Sequence, residues 1–152
     1  MVYLDSTVLI AFLYEERDQP ERFGETNRLM EFVRQQKVEA AISFYALPEL
    51  YAFVKAHQAE SDVSSTLRLG FLELFLIPLI IFPFLPRERF NDLKKQFVIV
   101  DPDDARHVAS ALSQNCSAII TFDHHFQQVR ELIPVFTPDE YLATLENESE
   151  GE

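Results

Sequence analysis

The sequence predicts an α/β fold in which helices cover both faces of a mainly parallel sheet. Three observations point there. Apolar runs of strand length alternate with helical periodicities, acidic residues stand directly behind two of those runs, and three glycines in 152 residues leave little room for long flexible loops. A chain of this length forms one domain without staples, since folding buries roughly two thirds of its unfolded surface.

Met1 to Leu4 reads as a buried strand and Thr7 to Tyr14 as a helix apolar all round, with Asp5 at their junction. Leu29, Phe32 and Val33 fall at helical spacing in a second helix, about Glu25 to Gln36, and Val38 to Ile42 follows as a strand closed by Ser43. Pro48 suits the first turn of a helix continuing through Leu50, Phe53 and Val54, which places Glu49 near its start. A fourth helix from Asp62 to Phe75, a strand near Leu79 to Phe82 and a polar helix from Arg87 to Gln96 complete the middle of the chain.

Asp101 before Pro102 is a strong helix start, an N-cap acceptor with proline at the first helical position. Ala105, Val108, Ala109 and Leu112 form the buried stripe of that helix, and Asp104 is its third residue. Ala118 to Phe122 reads as a strand ending at Asp123, and Val135 with Phe136 forms a last short strand before Pro138. Glu146, Glu148, Glu150 and Glu152 belong to an acidic segment, residues 146 to 152, expected to be a disordered tail behind a domain of residues 1 to 145.

The net charge of −12 argues against holding nucleic acid by bulk attraction, because phosphate contacts need clustered Lys and Arg. A carboxylate cluster neutralised by a divalent cation removes part of that objection. One cysteine, Cys116, excludes an internal disulfide and zinc sites built on several thiolates, and reads as a small buried hydrophobe. The N-terminus lacks a signal-peptide pattern, so the chain reads as cytoplasmic. Leu69 to Leu85 is apolar, but Gly70, Glu73, Pro78 and Pro83 interrupt it, so it reads as core or subunit contact and not as a membrane span. The excess of apolar residues from Leu72 to Leu85 predicts a homodimer.

In a mainly parallel sheet, ligands bind outside the carboxyl ends of the strands. Asp5 and Asp123 lie at such ends, while Glu49 and Asp104 lie in first turns of helices that return to the sheet. Each acid has an ordinary reading of its own: Asp5 as an N-cap, Asp104 as an acid favourable to the helix dipole, Asp123 as a turn residue. Four at equivalent topological places point instead to a cation, because crowded like charges repel unless one binds among them. Magnesium, a hard ion that takes oxygen ligands and keeps several waters, is the natural occupant.

These segments resemble the PIN domain family: YLDSTVLI around Asp5, ISFYALPEL around Glu49, DPDDARHVASAL around Asp104, AIITFDHHF around Asp123, and the closing VFTPDEYL. The resemblance implies a three-layer α/β/α sandwich and a Mg2+- or Mn2+-dependent ribonuclease whose metal ligands and catalytic groups are Asp5, Glu49, Asp104 and Asp123. Among small prokaryotic members the chain looks most like the VapC toxins, which implies an RNA substrate, an antitoxin partner and a dimer. Ser6 and Thr7 match the polar positions after the first Asp, where they would contact the metal water or phosphate. Lys55, Arg106 and His125 are the further candidates for RNA contact. Many relatives carry an acid where His125 stands, which puts a second tight metal site in question.

Asp123, His124 and His125 also match the tripeptide of the DHH phosphoesterases, but the additional upstream ligands of that family are lacking. The sequence has neither a G-x-S-x-G turn nor a phosphate loop of the G-x-x-x-x-G-K-[ST] type. The alternative from another class is a catalytically silent PIN-like or receiver-like domain that binds metal without turnover.

Overall fold

Strand residues alternate strictly between two cores. In a computed structural model, which describes the backbone of residues 1–150 and side chains through Asn147, Val2 and Leu4 of β1 (Val2–Leu4) join one core and Tyr3 the opposite one. Ala40 and Ile42 of β2 (Ala40–Ser43) likewise face away from Ala41, and Ile120 of β4 (Ile119–Ile120) away from Ile119. This is the period of two of a pleated strand buried on both faces. With β3 (Ile80–Phe82) and β5 (Val135–Phe136), these strands build a sheet of order β3-β2-β1-β4-β5 in which every pairing is parallel.

The first core receives α1 (Ser6–Tyr14), α2 (Pro20–Arg34), α3 (Ala46–His57), α4 (Glu60–Phe75) and α7 (Pro138–Glu150). The second receives α5 (Arg87–Lys94), α6 (Pro102–Ser113) and a short 3₁₀ helix, His124–Val129. The fold is therefore the three-layer α/β/α sandwich, with a wholly parallel sheet. The chain crosses from β1 outward to β2 and β3, then returns to place β4 on the other side of β1. That reversal opens a crevice beyond the carboxyl ends of β1 and β4, the usual ligand position in such sheets.

Several bounds differ from expectation. α2 begins five residues earlier than its apolar periodicity, because Pro20 supplies a first-turn residue. α7, whose helical character was not anticipated, buries Leu142 against the first core, with Tyr141 and Leu145 packed beside it, and ties Asp139 to Arg28 of α2. It continues as helix to Glu150, through the segment expected as a tail from residue 146; residues 151 and 152 lie outside the described residues. Among the described residues no helix is long and apolar enough to cross a membrane. The apolar middle of the chain instead faces outward: Leu69, Leu72 and Phe75 of α4 are exposed, as is Leu76 behind it, at 84%.

Gly70 is where α4 meets α1. A Cβ there would lie 2.3 Å from the Tyr14 hydroxyl, which is buried without a hydrogen-bond partner among the described residues. The Tyr14 ring stacks on Phe53 at 6.0 Å between centroids, so it has little room to yield. Gly70→Ala is expected to lower the melting temperature despite the roughly 1 kcal/mol that alanine gains over glycine in a helix. In a Tyr14→Phe background, which removes the orphaned hydroxyl, the same substitution should cost less. A double-mutant cycle by thermal denaturation measures the coupling, and additive effects would refute the contact.

Candidate active site at the carboxyl ends of β1 and β4

Asp5 ends β1 and caps α1. Its Oδ2 accepts from the Thr7 backbone N–H at 3.3 Å, the Thr7 hydroxyl at 2.8 Å and the Thr121 hydroxyl at 2.9 Å. The same two hydroxyl oxygens accept from the backbone behind β4, Thr7 from Phe122 N–H at 3.0 Å across the strand ends and Thr121 from Asp123 N–H at 2.9 Å two residues along its own segment. One carboxylate oxygen thus fastens the end of β1 to the end of β4. Among the described residues Oδ1 has one polar side-chain neighbour, His107 Nε2 at 4.0 Å, and Asp5 is 2% exposed.

His107 is the residue that sequence reasoning missed. Lying three residues after Asp104 on the buried side of α6, it is 0% exposed and bridges two layers. Its Nε2–H donates to Glu49 Oε2 at 2.7 Å, and its Nδ1 is 2.6 Å from the Tyr3 hydroxyl, itself 2.6 Å from Ser43 Oγ. Tyr3 is the one residue of β1 turned to the second core, so the strand's alternation delivers a hydroxyl to this network. Burial opposes charge on His107, but the hydrogen bond to Glu49 and the charges of Asp5, Glu49 and Asp104 outweigh it and raise its pKa. The spacing Asp104-x-x-His107 on one helix face was the available signal.

Asp104 stands in the first turn of α6, behind the Asp101 cap that accepts from the backbone N–H of Asp103 and Asp104 at 2.7 and 3.4 Å. Partial burial, reinforced by Asp123, Asp101 and Asp5, pushes its carboxyl up to about 7, against a smaller opposing pull from His107. Asp123 caps the 3₁₀ helix by accepting from His125 N–H at 2.9 Å. Among the described residues, no Lys or Arg forms an ion pair with any of the four acids. The donor set, oxygen-rich and without a fixed cation beyond His107, therefore suits a hard divalent ion such as Mg2+.

The other candidates divide. Ser6 is buried beside Asp5, and the Thr7 hydroxyl is engaged by Asp5 and Phe122 as described. Arg106 pairs with Asp103 and lies over the Tyr45 ring at 6.0 Å. Together with Tyr45, Pro48, Glu49, Phe84 and His107, this pair lines a cavity of about 420 Å³ beside the acids. Lys55 lies instead in a separate groove with Tyr51, Gln58 and Leu67, and the fold does not bring it to the carboxylates. Exposed His125 holds its Nδ1 3.0 Å from Asp123 Oδ1. Burial raises the Cys116 thiol to about 11, which suits its reading as a hydrophobe.

The family model described as "PIN domain" matches residues 2–132. The chain belongs to the PIN domain family. Its fold is similar to FitAcB from Neisseria gonorrhoeae, with a TM-score of 0.66 and 19% identity over 91% of this chain and 98% of that one. It is similar also to VapBC2 from Rickettsia felis bound to a promoter DNA fragment, with a TM-score of 0.59 and 20% identity over 89% and 97% of the two chains. A third is VapC20 from Mycobacterium tuberculosis, described as a sarcin-ricin loop cleaving toxin, with a TM-score of 0.58 and 13% identity over 84% and 93%. At these identities the likeness is one of fold. No curated protein matches the chain in sequence. In this PIN domain the Asp5 latch and the His107 bridge tie together residues from β1, β2, α3, α6 and β4.

The raised Asp104 carboxyl sets the pH dependence of the metal-free protein. Between the ordinary aspartate value of about 3.9 and pH 7, the folded chain keeps a proton that the unfolded chain has released. Stability from this group is therefore present at low pH and falls as pH rises through that window. Asp104→Asn should lose this part of the decline, so that its advantage in melting temperature over the wild type grows from pH 4 to pH 7. Parallel curves for the two proteins would show that Asp104 carries no such shift.

Proposed function

We propose that this PIN domain is a metal-dependent endoribonuclease and the toxin of a toxin–antitoxin pair. The observation that supports the reading is that Asp104 lies near enough to Asp123 and Asp5 for their charges to raise its carboxyl, that His107 joins Asp5 to Glu49, and that among the described residues no Lys or Arg pairs with these acids. The structures similar in fold support it, since they include a toxin–antitoxin complex and a toxin described as sarcin-ricin loop cleaving.

Asp5, Glu49, Asp104 and Asp123 would hold Mg2+ or Mn2+. A bound ion supplies a Lewis acid for the phosphate and lowers the pKa of a coordinated water towards neutrality. The chain's own part is placement. Thr7 and Thr121 hold Asp5 Oδ2, which leaves Oδ1 for an ion, and His107 restrains Glu49 by its Oε2. Arg106, paired with Asp103, and His125, beside Asp123, would contact the phosphate backbone of a bound RNA.

Replacing Asp5 by Asn removes a ligand charge while keeping the shape of the cap. Cleavage of generic single-stranded RNA in Mg2+ should fall by about 100-fold or more with the fold retained. Full activity in Asp5→Asn would sink the assignment.

The exposed face of Leu72, Phe75 and Leu76 supports a homodimer, because large apolar patches on small domains mark interfaces. Light scattering at micromolar concentration should give a dimer for the wild type and a monomer for Phe75→Glu. A monodisperse wild-type monomer refutes the dimer.

A further inference from the structure

We propose that Asp123, His124 and His125 form a second metal site, selective for a borderline dication of the Zn2+ type and distinct in chemistry from the oxygen-only site beside it. The inference builds on the reading of Asp123 as a carboxylate of a metal-dependent centre and adds an ion of another class to its rim.

The three donor atoms lie within 4.8 Å of one another. His125 Nδ1 is 3.0 Å and His124 Nδ1 3.9 Å from the same atom, Asp123 Oδ1. Metal–nitrogen and metal–oxygen bonds of about 2.0 to 2.2 Å place neighbouring ligands of one ion about 3 to 3.4 Å apart. His125 already meets that spacing. His124 needs to close by roughly half an ångström, and its side chain, 86% exposed, is free to rotate.

The acid is not a loose surface group. Its backbone N–H is held by Thr121 Oγ1 and its Oδ1 by the His125 N–H, so the Asp5 latch anchors the ligand from which both imidazoles are measured. The two imidazole rings stand 4.2 Å apart. His57, by contrast, sets its Nδ1 on the Phe53 carbonyl.

Imidazole nitrogen disfavours Mg2+, which demands oxygen, and favours Zn2+ and its transition-metal neighbours. Three protein ligands leave positions open for water or a phosphate oxygen. The pair of histidines thus converts the rim into a site that Mg2+ does not fill.

The test is calorimetric titration of the untagged full chain with Zn2+ in excess Mg2+, with imidazole 15N shifts read on the same samples. One Zn2+ should bind per chain, and the imidazole nitrogens of His124 and His125 should shift together. The double variant His124→Gln, His125→Gln should bind about 100-fold more weakly, on the scale of losing metal ligands or their supports, with an unchanged metal-free melting temperature. His57→Gln should stay within about threefold of the wild type, because His57 lies on α3, outside this site. Wild-type affinity in the double variant, or imidazole shifts that do not move, overturns the site. A chain that binds Zn2+ through both histidines yet cuts no RNA in Mg2+ refutes the nuclease reading and keeps this one; a chain that cuts RNA in Mg2+ but binds Zn2+ equally well in the double variant does the reverse.

Discussion

The Asp5 carboxylate is buried between two strands that are far apart in sequence, and it is held there by two threonine hydroxyls. Each hydroxyl has one proton to give and gives it to Asp5 Oδ2, while its oxygen takes a backbone N–H from the segment after β4. A buried carboxylate without such donors is costly to ionise. With them it is a fixed acceptor at the point where the sheet reverses direction. The position of Asp123, and the start of the 3₁₀ helix that it caps, follow from the same latch.

Around that point the protein gathers more negative charge than it neutralises. His107 is the internal counterweight: it holds Glu49, approaches Asp5 and rests on the Tyr3 hydroxyl, so it connects α6 to α3 through the sheet. Removing one partner of such a buried network leaves the others uncompensated, which makes the bridge both a positioning device and a structural one. The excess that remains, visible in the raised Asp104 carboxyl, is what a divalent ion would relieve.

Away from the site, the architecture leaves one face unfinished. Strand β3 is one of the two sheet edges, with Ile80 exposed, and α4, which precedes it in the chain, presents Leu72, Phe75 and the adjoining Leu76 to solvent. The net charge lies elsewhere, on the polar faces and the acidic crevice. An apolar flank and an acidic crevice on one small domain offer different chemistries to different partners, the first for association through burial, the second for cations and basic groups.

Much of this was legible in the residues themselves. Alternating strand and helix periods fixed the α/β class, and the Asp101-Pro102 start fixed α6. Strand ends placed Asp5 and Asp123, because local propensity and capping act over a few residues. The sequence also carried the family signature that the match to residues 2–132 bears out. Only the tertiary structure decided which side chains meet. His107 looks like a lone histidine on an apolar helix until Tyr3 and Glu49, 104 and 58 residues away, close on its two ring nitrogens. Thr121 looks like an ordinary strand residue until Asp5, 116 residues earlier, accepts its hydrogen bond. Lys55 looked close to Glu49 along α3 and lies in another groove. Hydrogen bonds and charge crowding depend on distances in space, and one chain read in order records only distances along itself.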